Sequence, residues 1–271
     1  MVSSNDGVGE PDSPSIRYEF GVTASNDDAT TTQGAMPLRL AVVTLFPELF
    51  ADFVKTSFVG RAQTASLVEV SFVQLRDFGL GNHRSIDDTP YGGGSGMVMR
   101  VDCVVAAMEE AEQRLGGRAH RVLMTPQGRP LSAAVAREFA TRPRWVLVCG
   151  RYEGFDERVR EFVDDEISLG DFVLTGGEIP AMALIEAAIR FIPGVLGNEN
   201  SAEVESFSPE LDGGLEYPQY TRPVEYRGLG VPDVLKSGDH KKIDAYRKQA
   251  SRERTASLRP ELLRKSKDQQ P

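Results

Sequence analysis

Apolar runs short enough to be strands alternate with helix-forming stretches along most of this chain, and that alternation limits it to a mostly parallel α/β sheet covered on both sides. The first run, Leu38-Arg39-Leu40-Ala41-Val42-Val43-Thr44-Leu45, predicts a strand buried on both faces. Pro47 stands where a first helical position is expected, with a helix continuing to about Phe58. A second strand is predicted from about Leu67 to Leu75, and shorter ones at Arg121 to Met124 and Trp145 to Cys149. Helices are predicted from Asp102 to Leu115 and from about Ser132 to Arg142, and a long one from Glu178 to Phe191 stops at Pro193.

Two glycine-rich loops each arrive straight off an apolar strand. The first is Cys149-Gly150-Arg151-Tyr152-Glu153-Gly154. The second runs from Ser168-Leu169-Gly170 through Phe172 and Leu174 to Thr175-Gly176-Gly177, where the long helix opens. Glycine lets a backbone turn sharply and come close to a ligand, although tight strand-to-helix turns use it too. Both loops also carry charged and aromatic side chains, which a bare turn does not need. Thr125-Pro126-Gln127-Gly128 leaves a third strand, so three strand-end loops would converge at one sheet edge, where α/β proteins bind ligands. A further stretch, Asp87-Asp88-Thr89-Pro90-Tyr91-Gly92-Gly93-Gly94-Ser95-Gly96-Met97, lacks the Gly-Lys-Ser/Thr of a P-loop. It reads as a flexible surface loop or as one that orders on a nucleoside or nucleic acid. The first strand is followed by Phe46-Pro47-Glu48, not by glycines, which disfavours a Rossmann-type methyltransferase or dehydrogenase.

The net charge of −9 alone argues against a polyanionic partner, but the charge is unevenly spread. From Thr221 onward there are thirteen Lys and Arg against seven Asp and Glu. A basic C-terminal part on an acidic body suits a nucleic-acid partner, and on charge alone an ordinary solvated helix would look the same. Residues 1–35 carry six acids against one Arg and no apolar periodicity, and are expected to be disordered, with Met36 an alternative start. Residues 197–214 read as a polar linker, and residues 215–271 as a short, basic, helical region with helices predicted at Asp239 to Arg254 and Pro260 to Lys267. No apolar run approaches the roughly 18 residues that span a bilayer, and no signal peptide is recognisable. The two cysteines, Cys103 and Cys149, read as buried thiols of a cytoplasmic protein, and no Cys/His spacing fits a structural metal site.

Six blocks resemble the bacterial tRNA (guanine-N1)-methyltransferase family. They are Asp88 to Met97, Pro126 to Arg129, Gly150 to Arg158, Gly170 to Glu178, Arg190 to Gly197 and Tyr217 to Pro223, in order between about Met36 and Leu263. The resemblance implies a SPOUT-class, trefoil-knotted, mostly parallel α/β domain over residues 36–196, a linker over 197–214 and a small helical tRNA-binding domain over 215–271. It also implies a homodimer with shared active sites. S-adenosylmethionine would contact Met124, Thr125, Pro126, Gly150, Glu153, Ser168, Leu169, Gly170, Phe172, Leu174, Gly176 and Gly177. The family's reaction also uses Mg²⁺, for which the sequence offers no ligand cluster.

The reaction so implied is methyl transfer to N1 of the guanosine immediately 3′ of the anticodon, tRNA position 37. Guanine N1 carries a proton at neutral pH, so a carboxylate within hydrogen-bond reach answers the main chemical obstacle, and a cation stabilises the charge developing on O6. The resemblance places the base at Glu205, where many relatives have Asp, and the cation at Arg190. Glu203 is a weaker candidate for the base. Substrate contacts would fall at Ser201, Arg222, Lys241 and Arg247 around a splayed anticodon loop. Tyr246 and Ala250 depart from the family's usual Trp and Gln. Another SPOUT-type methyltransferase, acting on ribose 2′-OH or on rRNA, is the alternative, and a non-catalytic RNA-binding protein the third reading.

Overall fold

The computed structural model describes residues 36–196 and 205–263. Ser201, Glu203 and the N-terminal 35 residues, on which readings were made above, lie outside the described residues.

The core is a five-stranded, wholly parallel sheet in the order β2-β1-β6-β5-β7. In chain order the elements are β1 (Leu38–Thr44), α1 (Ser57–Thr64), β2 (Val68–Gln74), the small hairpin β3 (Asp87–Asp88) and β4 (Val98–Met99), α2 (Val101–Leu115), β5 (His120–Pro130), α3 (Ala133–Ala140), β6 (Arg144–Cys149), β7 (Asp165–Ser168) and α4 (Glu178–Ile189). The hairpin β8 (Glu225–Tyr226) and β9 (Leu229–Gly230), α5 (Asp233–Lys236) and α6 (His240–Leu258) follow.

Strand periodicity sorts the core onto two faces. Leu38, Leu40 and Val42 of β1 join Trp145, Leu147 and Cys149 of β6 beneath α1, α3 and α4. Ala41 and Val43 join Val146 and Val148 beneath α2, whose Cys103, Val104, Ala107, Met108, Ala111 and Leu115 supply the other side. Both cysteines are free and buried. Burial pushes the Cys149 thiol well above its ordinary value, so it stays neutral and acts as a small apolar side chain.

Three expectations are corrected. The helix expected from Pro47 to Phe58 is instead two 3-10 turns, Pro47–Phe50 and Phe53–Lys55, and α1 begins only at Ser57. Thr56 is extended and Ser57 has φ +54°, which no continuous helix passes through. The strand feeding the second glycine loop is not apolar. It is an edge strand bonded on one side only, so Ile167 and Ser168 suffice for burial while Asp165 and Glu166 pair with Arg129 and Arg160. The C-terminal region carries the β8–β9 hairpin as well as helices, and the stretch expected from Pro260 to Lys267 starts at Pro260 and runs out of the described residues.

Residues 205–214 fold back in turns. Phe207 N–H donates to the Gly214 carbonyl at 2.7 Å, and Arg137 of α3 donates to the Phe207 carbonyl at 3.3 Å. The Ser251 hydroxyl of α6 donates to the Leu215 carbonyl at 2.6 Å, and Leu215 N–H donates to Thr255 Oγ1 at 2.9 Å.

Candidate active site

Parallel strands release their loops at one sheet edge, and here the registers bring Val43, Val148, Leu123 and Glu166 level across it, with Cys149, Met124 and Ile167 one step further on. β5 pairs with β7 up to Met124, bulges outward over Thr125 to Gly128, and resumes pairing at Arg129 opposite the same Ile167. The bulge folds tightly onto β7, since a Cβ on Gly128 would collide with the Glu166 backbone. Gly177 N–H donates to the Gly150 carbonyl at 3.0 Å, so the two glycine loops touch directly.

These loops enclose a cavity of about 260 Å³. Eleven of the twelve positions predicted for the cofactor line it: Met124, Thr125, Pro126, Gly150, Glu153, Ser168, Leu169, Phe172, Leu174, Gly176 and Gly177. Gly170 stands behind the wall, its N–H on the Ser168 hydroxyl at 3.2 Å. A Cβ on Gly177 would sit 2.7 Å from Cys149 Cα, and one on Gly150 2.8 Å from the Phe155 ring. Glycine at both positions is therefore a matter of space. Only the end of the Asp87 to Met97 segment meets this rim: Glu153 N–H donates to the Met97 carbonyl at 3.0 Å, and just beyond the segment Met99 N–H donates to the Gly154 carbonyl at 2.9 Å.

Sequence reasoning left Arg151 and Glu178 off the predicted site, although both stood in the quoted loops. Arg151 lines the cavity and forms a 2.9 Å ion pair with Glu178, which is 1% exposed at the first turn of α4. The signal was the charge itself, an Arg inside one glycine loop and a Glu directly after the other.

Arg190 and Glu205 are brought together as a short ion pair at the opposite end of α4. Twelve helical residues separate that end from Gly177, a span of about 18 Å. Within one chain the pair and the cavity floor are therefore apart. Arg222 and Lys241 are exposed. Arg247 is not: it stacks 4.9 Å over the Tyr217 ring with its Nε buried, a packing position more than a free cation. Among the described residues no three His, Cys, Asp or Glu side chains group as a metal site. No helix among them is long and apolar enough to cross a membrane.

Comparison with known proteins adds an independent line. The family model for tRNA (Guanine-1)-methyltransferase TrmD matches residues 38–265. The tRNA (guanine-N(1)-)-methyltransferase of Sorangium cellulosum is 55% identical over 254 residues, spanning 86% of this chain and 96% of that protein. The protein of that name from Geotalea uraniireducens is 52% identical over 228 residues (83% and 90%), and that from Staphylococcus carnosus 48% over 229 (84% and 91%).

Proposed function

Since the chain belongs to the tRNA (guanine-1)-methyltransferase family, we propose that it transfers a methyl group from S-adenosylmethionine to N1 of the guanosine immediately 3′ of the tRNA anticodon. The observation that carries the reading is the cavity built by the three strand-end loops, whose glycines let those loops pack against their neighbours where a Cβ would collide. Met124 to Pro126, Gly150, Glu153 and the Ser168 to Gly177 loop would hold the cofactor. When bound, it supplies an already electrophilic sulfonium methyl.

The chain's own task is then the nucleophile. Glu205 takes the N1 proton and Arg190 meets the charge growing on O6. N1 and O6 are neighbours on the Watson–Crick edge of guanine, and the paired carboxylate and guanidinium are neighbours in the same sense. The reading includes the trefoil knot of the SPOUT class and a linker and C-terminal domain that present the anticodon loop. Arg222 and Lys241 are phosphate contacts from the basic C-terminal part.

The separation along α4 supports a shared site. If one chain keeps its cavity and its acid about 18 Å apart, a second copy must supply the missing half. The surface around the cavity mouth fits such a partner. Phe172, Val173, Leu174 and Ile179 are each at least 40% exposed, and α4 has Glu186 as its only charged residue between Glu178 and Arg190.

The test is methyl transfer to anticodon stem-loop transcripts with G or A at the target position. Transfer to G alone, abolished by Glu205→Gln, is expected. Undiminished activity of Glu205→Gln would remove Glu205 from the base role, and methylation of ribose instead of base would favour the other SPOUT-type reading.

A further inference from the structure

The exit of β1 is where a doubly wound nucleotide binder carries its glycine turn. Here it carries Thr44 and Phe46, and both are committed to the underside of the cavity. The Thr44 hydroxyl donates to Glu178 Oε1 at 2.8 Å and accepts the Phe46 N–H at 3.0 Å. Glu178 Oε2 lies 2.9 Å from Arg151 Nη2. The Arg151 guanidinium rests 4.6 Å over the Phe46 ring, and its Nη1 donates to the Thr175 carbonyl at 3.2 Å. These contacts close a ring that joins three separate stretches of chain: the β1 exit, the first glycine loop and the second. Gly176 lies against it, since a Cβ there would collide with both Arg151 and Glu178.

A buried ion pair is a poor device for stability alone, because well-packed apolar residues of the same volume hold a fold equally well or better. Its advantage is fixed geometry. Arg151 presents a planar fork in one orientation, and that orientation sets how far apart the two loops stand. From the closed ring of contacts we propose that Glu178 is a positioning residue for the cofactor site, holding Arg151 so that the Gly150 and Gly176-Gly177 loops keep the separation the ligand needs. The inference rests on the reading of the cavity as the S-adenosylmethionine site.

The experiment is calorimetric titration of S-adenosylmethionine into the full-length wild type, Glu178→Gln, Thr44→Val and Thr44→Ser, with steady-state kinetics and thermal melting of each. Glu178→Gln is expected to raise both Kd and KM for the cofactor about tenfold, equivalent to about 1.4 kcal/mol, with kcat at saturating cofactor changed about threefold at most. Thr44→Val, which removes only the hydroxyl steadying the carboxylate, moves the same constants about threefold. Thr44→Ser, which returns it, restores them. Wild-type protein that fails to bind S-adenosylmethionine overturns the cavity assignment itself. Wild type that binds, alongside a folded Glu178→Gln that binds equally well or loses only kcat, overturns the positioning role alone. Should Glu178→Gln not fold, the Thr44 variants decide: equal affinity of Val and Ser overturns the role, and loss with Val rescued by Ser supports it.

Discussion

Gly177 and Gly230 have the same side chain and opposite tolerances. A Cβ on Gly177 meets Cys149 Cα at 2.7 Å and the Gly150 nitrogen at 2.9 Å, although its φ of −83° suits any residue. A Cβ on Gly230 meets nothing. Gly177→Ala is therefore expected to lower stability by about 1–3 kcal/mol through overpacking and to weaken cofactor binding, read by denaturant titration and calorimetry. Gly230→Ala should stay within about 0.5 kcal/mol of wild type. The basic residues divide in the same way. Lys241→Ala should leave the melting point unchanged and reduce the salt dependence of tRNA binding by about one phosphate contact. Arg247→Ala should lower the melting point, because its aliphatic stem and guanidinium pack on Tyr217. Glycine density was legible in the sequence because only close approach or a turn requires it. The packing role of Arg247 was not legible, because a half-buried Arg and a free one are the same letter. The pairing of Arg190 with Glu205 spans fifteen positions and came from resemblance, not from any local rule.

β1 and β6 were legible because both of their faces are buried, and they fall within a residue or so of the runs that predicted them. The edge strand β2 was legible because Val68, Val70, Phe72 and Val73 still make it apolar. β7 was harder to read because an edge strand needs few apolar residues, and the turns after Pro47 because their interruption lies in the backbone angle of Ser57. One joint between elements carries a pH prediction. Glu112 of α2 accepts bonds from Arg118 (2.7 Å), Ala119 N–H (2.9 Å) and Arg121 (2.7 Å), pinning the end of α2 to the start of β5. Burial would raise its pKa, but the Arg121 bond, the Ala119 N–H and Arg118 together bring it down to about 2 from an ordinary 4.5. The folded carboxylate is thus harder to protonate than the unfolded one, so its stabilisation is complete above about pH 4.5 and is lost as the pH falls towards 2. Glu112→Gln should cost about 2 kcal/mol at neutral pH and show a shallower loss of melting temperature on acidification through that window.

At the scale of the molecule, the prediction concerns which copy supplies what. Glu205→Gln retains an intact cavity, and Gly177→Ala retains an intact acid. If active sites are shared, mixing the two impaired proteins with subunit exchange should regenerate one complete site per mixed dimer, lifting activity above either protein alone to about a quarter of wild type for random pairing. No recovery after demonstrated exchange would place both halves of the site in one chain. The fold class was legible in the alternation of strands and helices. How the chain threads between its loops was not, because periodicity reports which faces are buried and is silent on the path between them.

The length of α4 has a consequence of its own. A helix with its first turn beside the cavity and its last beside the Arg190–Glu205 pair works as a spacer bar. Inserting one residue would advance everything beyond it by about 1.5 Å and swing it by about 100°, turning Arg190 away from its carboxylate even with every side chain retained. Substitutions along the bar can be absorbed by repacking, whereas insertions and deletions cannot unless they come close to whole turns. For the reaction proposed above, the number of residues between Gly177 and Arg190 matters as much as their identities.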